Sequence, residues 1–240
     1  MLRVGLLGYG KMGKAIAALA PRHGVEIAWH AGRTGIPEGL LRSADVVIEF
    51  TRPEAAWDNV RACLEAGVPV VSGTTGWQSQ LPEAYALCRK QEGALIWASN
   101  FSVGVNLFFA LNQYLSRLMA DRPEYRPDMT ETHHVHKLDA PSGTAITLAE
   151  QILAHHPDIR TWRLADDDPG ADALPIRALR EGEAIGTHRI DWRSAIDTIT
   201  IEHAAQTREG FAAGALLAAR WLPGRKGVFT MADVLGLKNH

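Results

Sequence analysis

One segment in the second half of the chain concentrates side chains that could carry out acid–base chemistry. Residues 131–144 read Glu-Thr-His-His-Val-His-Lys-Leu-Asp-Ala-Pro-Ser-Gly-Thr and place three histidines and a lysine within five positions. Histidine exchanges protons near neutral pH, and the lysine ammonium attracts anions. The cluster is compatible with a metal site, with a pH-sensitive surface, or with a proton donor beside a site for an anionic substrate.

The metal site is the least favoured of these interpretations. His134 and His136 would share one face of a strand, but no cysteine or suitably spaced acidic residue nearby supplies a third and a fourth ligand. We therefore predict that no metal is bound. A solvated histidine cluster remains an alternative to catalysis.

The catalytic interpretation assigns a role to each part of the segment. His133 and Lys137 are four positions apart and would share a face in either a helix or a strand, so that together they could hold an anion and deliver a proton. Ser142, Gly143 and Thr144 precede a predicted helix and would offer hydroxyl and backbone N–H groups to an anion. Ser142 could instead be an ordinary helix N-cap, and the two roles are compatible.

A second candidate site lies near the start of the chain, in a G-x-G-x-x-G loop formed by Gly8, Tyr9, Gly10, Lys11, Met12 and Gly13. The spacing alone is a weak signal. Here it follows a predicted strand at residues 2–7 and opens a predicted helix, which is the context in which such loops bind the pyrophosphate of a dinucleotide.

The residues after the second predicted strand bear on which dinucleotide binds. Residues 28–34 contain no acid that would bind the ribose hydroxyls, whereas Arg33 is available for a 2′-phosphate. We predict that NADPH is preferred and that NADH is possible. A solvated turn residue is the alternative interpretation of Arg33.

The apolar pattern indicates the scaffold that positions these motifs. Short apolar runs alternate with helical patterns from residue 2 to about residue 98, which predicts an α/β fold with a Rossmann-type doubly wound parallel sheet. Such sheets bind ligands beyond the carboxyl ends of their strands, and polar or glycine-rich segments follow the predicted strands at 8–10, 50–53, 73–76 and 99–102. Later strands come without intervening helices, which predicts an inserted α+β unit with a mixed or antiparallel open sheet.

The composition excludes several classes of function. A net charge of −2 and a pI near 6.6 argue against nucleic-acid and membrane-surface partners, which require clustered lysine and arginine. The two cysteines, Cys63 and Cys88, lie in apolar helical patterns and are expected to be buried free thiols. The first apolar run ends at Gly8, too early for a signal peptide, so we expect a cytoplasmic protein.

Together, the motifs resemble the 4-hydroxy-tetrahydrodipicolinate reductase (dihydrodipicolinate reductase) family of lysine biosynthesis. The resemblance covers nearly the whole chain and is most specific in the run His-His-x-His-Lys-x-Asp-Ala-Pro-Ser-Gly-Thr. Other matching stretches are 8–13, 48–53, 73–76 and 99–106, with weaker ones at 186–188 and 208–235. The resemblance implies an NAD(P)H-dependent reduction in which hydride reaches C4 of a cyclic imine dicarboxylate and the 4-hydroxyl leaves as water.

The resemblance also implies roles for individual residues. His133 matches the proton donor or acceptor of the family, Lys137 its proton-donating lysine, and His134, Gly143 and Thr144 its anchors for substrate carboxylate. Beyond the glycine loop and Arg33, the predicted cofactor contacts lie after the strands of the sheet: Phe50, Thr51, Gly73, Thr74, Thr75, Ala98, Ser99, Asn100 and Phe101.

Two domains and a homotetramer are implied as well. Residues 1–104 with 211–240 would bind the dinucleotide, and residues 105–210 would bind substrate and pair their open sheet across subunits. Two departures from the family stand out: the stretch between Arg33 and Asp45 is short, and Gly32 occupies the position of a usual acid. The second weakens NADH binding more than NADPH binding. A related amino-acid dehydrogenase, such as aspartate dehydrogenase, and a non-catalytic NADPH-binding protein are the alternatives.

Overall fold

The computed structural model describes residues 1–32, 36, 39–165, 170 and 172–237. Arg33, the predicted contact for a 2′-phosphate, lies outside the described residues. The chain divides into two compact units, one made of Met1–Val103 with Glu209–Asn239 and the other of Gly104–Arg208.

Eleven strands and seven α-helices are formed by the described residues. In chain order the strands are β1 (Leu2–Leu7), β2 (Val25–Ala31), β3 (Val46–Glu49), β4 (Val70–Ser72), β5 (Ala94–Trp97), β6 (Arg126–His133), β7 (Thr161–Leu164), β8 (Ala173–Arg180), β9 (Thr187–Arg193), β10 (Thr198–Ala204) and β11 (Gly227–Phe229). The helices are α1 (Lys11–Leu19), α2 (Pro53–Glu65), α3 (Leu81–Lys90), α4 (Val103–Met119), α5 (Gly143–Leu153), α6 (Glu209–Trp221) and α7 (Met231–Val234).

The first unit is built on a six-stranded parallel sheet in the order β11-β5-β4-β3-β1-β2. Residues of α1 and α6 belong to one apolar core, and residues of α2 and α3 belong to a second one. The strand order reverses at β1, with β2 on one side of it and β3 on the other. This switch point opens a crevice beyond the carboxyl ends of β1 and β3, and it confirms the predicted doubly wound sheet.

The second unit contains a five-stranded mixed sheet in the order β10-β9-β6-β8-β7. The central strand β6 runs antiparallel to β9 and parallel to β8. Helices α4 and α5 pack on this sheet around Met129, Leu148 and Trp192, which are almost completely buried. The predicted α+β unit with a mixed sheet is confirmed.

Several local predictions are wrong. The apolar spacing of residues 60–66 predicts a helix there, but α2 begins seven residues earlier, at Pro53, because proline suits the first turn of a helix where no N–H partner is needed. The short strands β7 and β11 were not predicted, since four and three residues carry too little periodicity.

Cys63 and Cys88 are buried free thiols as predicted. None of the described helices is long and apolar enough to cross a membrane.

Candidate active site

The glycine loop connects β1 to α1 at the switch point of the parallel sheet. Gly8 has a φ of +91°, and a Cβ there would lie 1.9 Å from the carbonyl oxygen of Phe50. A Cβ on Gly13 would lie 2.2 Å from the carbonyl oxygen of Gly8. Only glycine fits at these two positions, which lets the loop turn tightly and lets α1 pack directly on it.

The start of α1 fits a dinucleotide pyrophosphate. Gly10 is the N-cap of α1 and provides no side-chain cap, and a Cβ at Gly10 would meet nothing within 4 Å. The first N–H groups of an α-helix have no partner within the helix, so an anion at this end of α1 could accept their hydrogen bonds. A cleft of about 360 Å³ begins there, lined by Gly10, Lys11, Met12, Phe50, Thr51, Pro53, Gly73, Thr74 and Thr75.

A second cleft of about 450 Å³ adjoins the same loop and is lined by Gly8, Tyr9, Gly10, Gly32, Phe50, Thr51, Arg52, Ala55 and Asn59. The ring of Tyr9 stacks on His30 with 3.9 Å between centroids. Ten of the predicted cofactor contacts thus line one connected region of the first unit, together with Arg52 and Asn59, which the sequence analysis did not predict.

The predicted cofactor contacts after β5, residues 98–101, are not among the residues that line these two clefts. Phe101 is buried in the core, and the close approach of α6 presses Gly214 against its carbonyl oxygen, where a Cβ would lie only 1.7 Å away. Asn100 is also buried and accepts a hydrogen bond from the backbone N–H of Ser102. The ring of Phe101 and the side-chain amide of Asn100 therefore help to fix the conformation of this loop.

In the second unit, a buried carboxylate organises the histidine-lysine segment. Glu131 on β6 is fully buried and accepts two hydrogen bonds from the backbone N–H of Ser142, at 3.0 and 3.1 Å. Its carboxylate also lies 3.3 Å from the guanidinium of Arg180, 3.4 Å from Nδ1 of His133 and 3.7 Å from Nε2 of His188. The carboxylate of Glu131 therefore connects three strands, β6, β8 and β9, to the start of α5.

Arg180 extends this network to Lys137. Its guanidinium donates to the carbonyl oxygens of Lys137 at 3.2 Å and Asp139 at 2.6 Å. The ammonium of Lys137 is about one-fifth exposed and bonds both carboxylate oxygens of Asp139, at 2.7 and 2.6 Å. This pairing lowers the pKa of Asp139, first through the hydrogen bond from Lys137. Lys137 is thus held at both its backbone and its side chain.

The strand-face geometry predicted for this segment is wrong. Strand β6 ends at His133, and a turn follows in which the N–H of Lys137 donates to the carbonyl of His134. His134 and His136 therefore do not share a strand face, and His133 and Lys137 do not belong to one regular element. The turn nevertheless keeps the charge of Lys137 close enough to contribute to lowering the pKa of His133.

The predicted anion anchors at the start of α5 divide into two groups. Ser142 is buried, caps α5 by accepting from the N–H of Ala145, and lies 3.1 Å from Nε2 of His188 through its hydroxyl. Its polar groups are used within the protein, which favours the N-cap interpretation over direct substrate binding. Gly143 is exposed at the first turn of α5, followed by partly exposed Thr144, so these two remain suited to an anion.

The metal site considered from the sequence involved His134 and His136, but the described residues bring a different set of possible ligands together. Glu131, His133 and His188 offer ligand atoms within 4.8 Å of one another, a spacing that a metal ion could use. However, Glu131 already accepts from Ser142 and pairs with the cation Arg180, which opposes a second positive charge. The geometry is that of an ion-paired hydrogen-bond network.

Burial determines the protonation of the two histidines in this network. It lowers the pKa of His133, an effect that the charge of Glu131 partly offsets and that Lys137 and Arg180 reinforce. Burial lowers the pKa of His188 to about 3. Both imidazoles are therefore neutral at pH 7.

Comparison with known proteins identifies the family. Residues 2–101 match the family described as "Dihydrodipicolinate reductase, N-terminus", and residues 104–235 match "Dihydrodipicolinate reductase, C-terminus". The chain belongs to the dihydrodipicolinate reductase family. The amino-acid dehydrogenase and non-catalytic interpretations are set aside, because both parts of the chain match this family of NAD(P)H-dependent reductases.

Individual relatives agree with the family assignment. The 4-hydroxy-tetrahydrodipicolinate reductase of Christiangramia forsetii is 44% identical over 236 residues, covering 98% of each chain. That of Laribacter hongkongensis is 35% identical, covering 95% of this chain and 96% of the relative. The solved structure of a dipicolinate-bound dihydrodipicolinate reductase from Paenisporosarcina sp. TG-14 superposes with a TM-score of 0.80 at 24% identity, over 97% of this chain and 98% of that one. The last comparison supports the fold.

The burial of His188 predicts how the stability of the protein depends on pH. A histidine with a folded pKa of about 3 takes up its proton near pH 6.5 once unfolded, so its contribution is complete above pH 6.5 and is lost as pH falls toward 3. The loss between pH 6.5 and 4.5 is roughly 2–3 kcal/mol. We expect His188→Gln to lose less unfolding free energy than the unmodified protein over this interval.

Denaturant unfolding at both pH values measures this difference. The matched control is His136→Gln, since the side chain of His136 is 73% exposed and its removal should leave the pH dependence unchanged. An equal loss of stability in His188→Gln and in the unmodified protein would contradict the prediction.

Proposed function

We propose that this chain reduces 4-hydroxy-tetrahydrodipicolinate to tetrahydrodipicolinate with NADPH, in the diaminopimelate pathway of lysine biosynthesis. The observation that carries the proposal is the match of both parts of the chain to the dihydrodipicolinate reductase family. The substrate of this family is a small cyclic imine dicarboxylate, which agrees with cationic and N–H groups gathered at the start of α5.

The bound nicotinamide would supply hydride to ring C4 of the substrate, while the 4-hydroxyl leaves as water. We assign the proton that the reaction consumes to the ammonium of Lys137, with neutral His133 as the proton-exchanging partner. His134, Gly143 and Thr144 are proposed to bind substrate carboxylate. For Gly143 and Thr144 this is supported by their place in the first turn of α5. Ser142 contributes by capping that helix.

The cofactor is proposed to bind along the glycine loop of the first unit. The uncapped N-terminus of α1 would hold the pyrophosphate, and Thr51, Gly73, Thr74 and Thr75 would line the nicotinamide side of the cleft. We propose residues 1–104 with 211–240 as the cofactor domain and residues 105–210 as the substrate domain. A cytoplasmic location remains part of the proposal.

A homotetramer is proposed from the second unit. Helix α4 exposes about half of each of four apolar side chains at helical spacing: Leu107, Leu111, Tyr114 and Leu118. Contiguous apolar surface of this kind marks protein interfaces. Sedimentation equilibrium tests the proposal, and a monomer at micromolar concentration would contradict it.

The test of the proposed activity is direct. Purified protein is supplied with NADPH and the freshly formed condensation product of aspartate semialdehyde and pyruvate, and NADPH oxidation is followed by absorbance. We expect rapid turnover. A folded protein that binds NADPH but gives no turnover with this substrate would refute the proposal.

Replacing Arg33 tests the proposed preference for NADPH over NADH. A guanidinium paired with a 2′-phosphate typically contributes about tenfold or more to affinity, whereas NADH lacks that phosphate. We expect Arg33→Ala to raise the KM for NADPH by about tenfold and to leave the KM for NADH nearly unchanged. Equal changes for both cofactors, in paired steady-state assays, would contradict the assignment.

A further inference from the structure

A buried carboxylate lies under the candidate cofactor cleft and takes no part in the proposed reaction. Glu49 ends β3 and is fully buried. It accepts hydrogen bonds from the hydroxyl of Ser72 at 2.6 Å, the hydroxyl of Thr74 at 2.8 Å and the backbone N–H of Thr51 at 3.0 Å, and from the hydroxyl of Thr51 as well. These donors offset the cost of burying a charge.

Thr74, which donates to Glu49, also accepts hydrogen bonds from other groups. Its carbonyl oxygen accepts hydrogen bonds from the indole N–H of Trp77 at 2.8 Å and of Trp97 at 3.0 Å. Its hydroxyl also accepts from the backbone N–H of Thr51, at 2.8 Å. The segments that follow β3 and β4 are thereby joined to each other and to the end of β5 through one threonine.

The residues fixed in this way are the ones that line the cleft. Thr51 and Thr74 contribute to its wall together with their neighbours Gly73 and Thr75. Each hydroxyl bonded to Glu49 has one orientation, so the two segments hold one conformation before a ligand arrives. Preorganised groups bind more tightly because less conformational entropy is lost on binding.

We propose that Glu49 is a positioning residue for the cofactor, acting through Thr51 and Thr74; this inference rests on the proposed function. Glu49 itself contacts no ligand. Its carboxylate sets the positions of the two threonines, and Trp77 and Trp97 fix the backbone between them. Removing the acceptor should therefore weaken NADPH binding without removing any group that touches NADPH.

The first variant is Glu49→Gln, which keeps the volume but replaces an acceptor oxygen by an NH₂ group that cannot accept a hydrogen bond. At least one bonded hydroxyl can then no longer donate to residue 49. We expect the Kd for NADPH, measured by fluorescence titration, to rise about tenfold or more. The KM for NADPH should rise in parallel, whereas kcat at saturating NADPH should change by less than about twofold.

A double-mutant cycle separates positioning from general destabilisation. Thr74→Val removes the hydroxyl through which Glu49 acts, so adding Glu49→Gln to Thr74→Val should raise the Kd for NADPH much less than it does alone. The stability control is Val47→Ala on β3, a fully buried residue whose truncation destabilises the same sheet and should leave the Kd for NADPH unchanged.

Another variant tests the inference even if Glu49→Gln does not fold. Trp97→Phe keeps an aromatic ring but removes the indole N–H that reaches Thr74, together with part of the ring volume, and it should also raise the Kd for NADPH. An unchanged Kd in the folded variants, or additive effects in the cycle, would overturn the inference alone. Failure of the unmodified chain to bind NADPH would overturn the proposed function and the inference with it.

Discussion

Replacing Lys137 by alanine is expected to lower kcat by roughly 10²- to 10⁴-fold, the usual contribution of a general acid. Burial lowers the pKa of His133, so that imidazole is neutral at pH 7 and cannot replace the ammonium as a source of protons. The lysine belongs to the second unit, whereas the glycine loop belongs to the first. The Kd for NADPH should therefore stay within about twofold, as measured by fluorescence titration beside steady-state assays.

The control for this variant is Asp139→Asn. It removes the carboxylate that bonds the ammonium, but the carbonyl of Lys137 keeps its hydrogen bond from Arg180. We expect a much smaller loss of kcat than in Lys137→Ala. The assignment of Lys137 as proton donor fails if Lys137→Ala retains normal turnover, or if the two variants are equally impaired.

The second large effect is expected from Gly10→Ala. A methyl group there would meet no protein atom within 4 Å, so the variant should fold normally. The same methyl group would stand where a pyrophosphate approaches the start of α1. We expect the Kd for NADPH to rise about 10- to 100-fold, the equivalent of roughly 1–3 kcal/mol of steric strain.

Gly143→Ala is the reciprocal variant. Its Cβ would also meet no atom within 4 Å, but it stands at the start of α5 in the second unit. We expect Gly143→Ala to raise the KM for the substrate and to leave the Kd for NADPH unchanged. Gly10→Ala should raise the Kd for NADPH and leave the KM for the substrate unchanged. Identical effects of the two variants in calorimetric and kinetic assays would refute the division of cofactor and substrate between the two loops.

The sequence predicts the scaffold well because local patterns determine it. The apolar run that forms β1, the glycine spacing after it and the apolar periodicity of the helices are short-range signals. The residues that line the cleft after β3 and β4 could be predicted for the same reason, since parallel strands place the residues that follow them at one edge of the sheet.

The networks behind the site could not be predicted, since they join residues distant along the chain. Glu131 and Arg180 are 49 positions apart, and Glu49 and Thr74 are 25 apart. A buried acid in a strand has no periodic signature, and its partners depend on strand order. The inward orientation of Ser142 was missed for the same reason, because His188 reaches it from another strand, 46 positions later.

The return of the chain to the first unit affects the order in which that unit can be completed during synthesis. Helix α6 supplies Ala212, Ala215 and Leu216 to the core that also contains Val4 and Ile16. Strand β11 then pairs with β5 at the edge of the sheet. A ribosome-bound chain that ends near residue 103 lacks these elements and leaves part of one face of the sheet exposed to water. The first unit therefore finishes folding only after the whole second unit has been made, although its first strand emerges first.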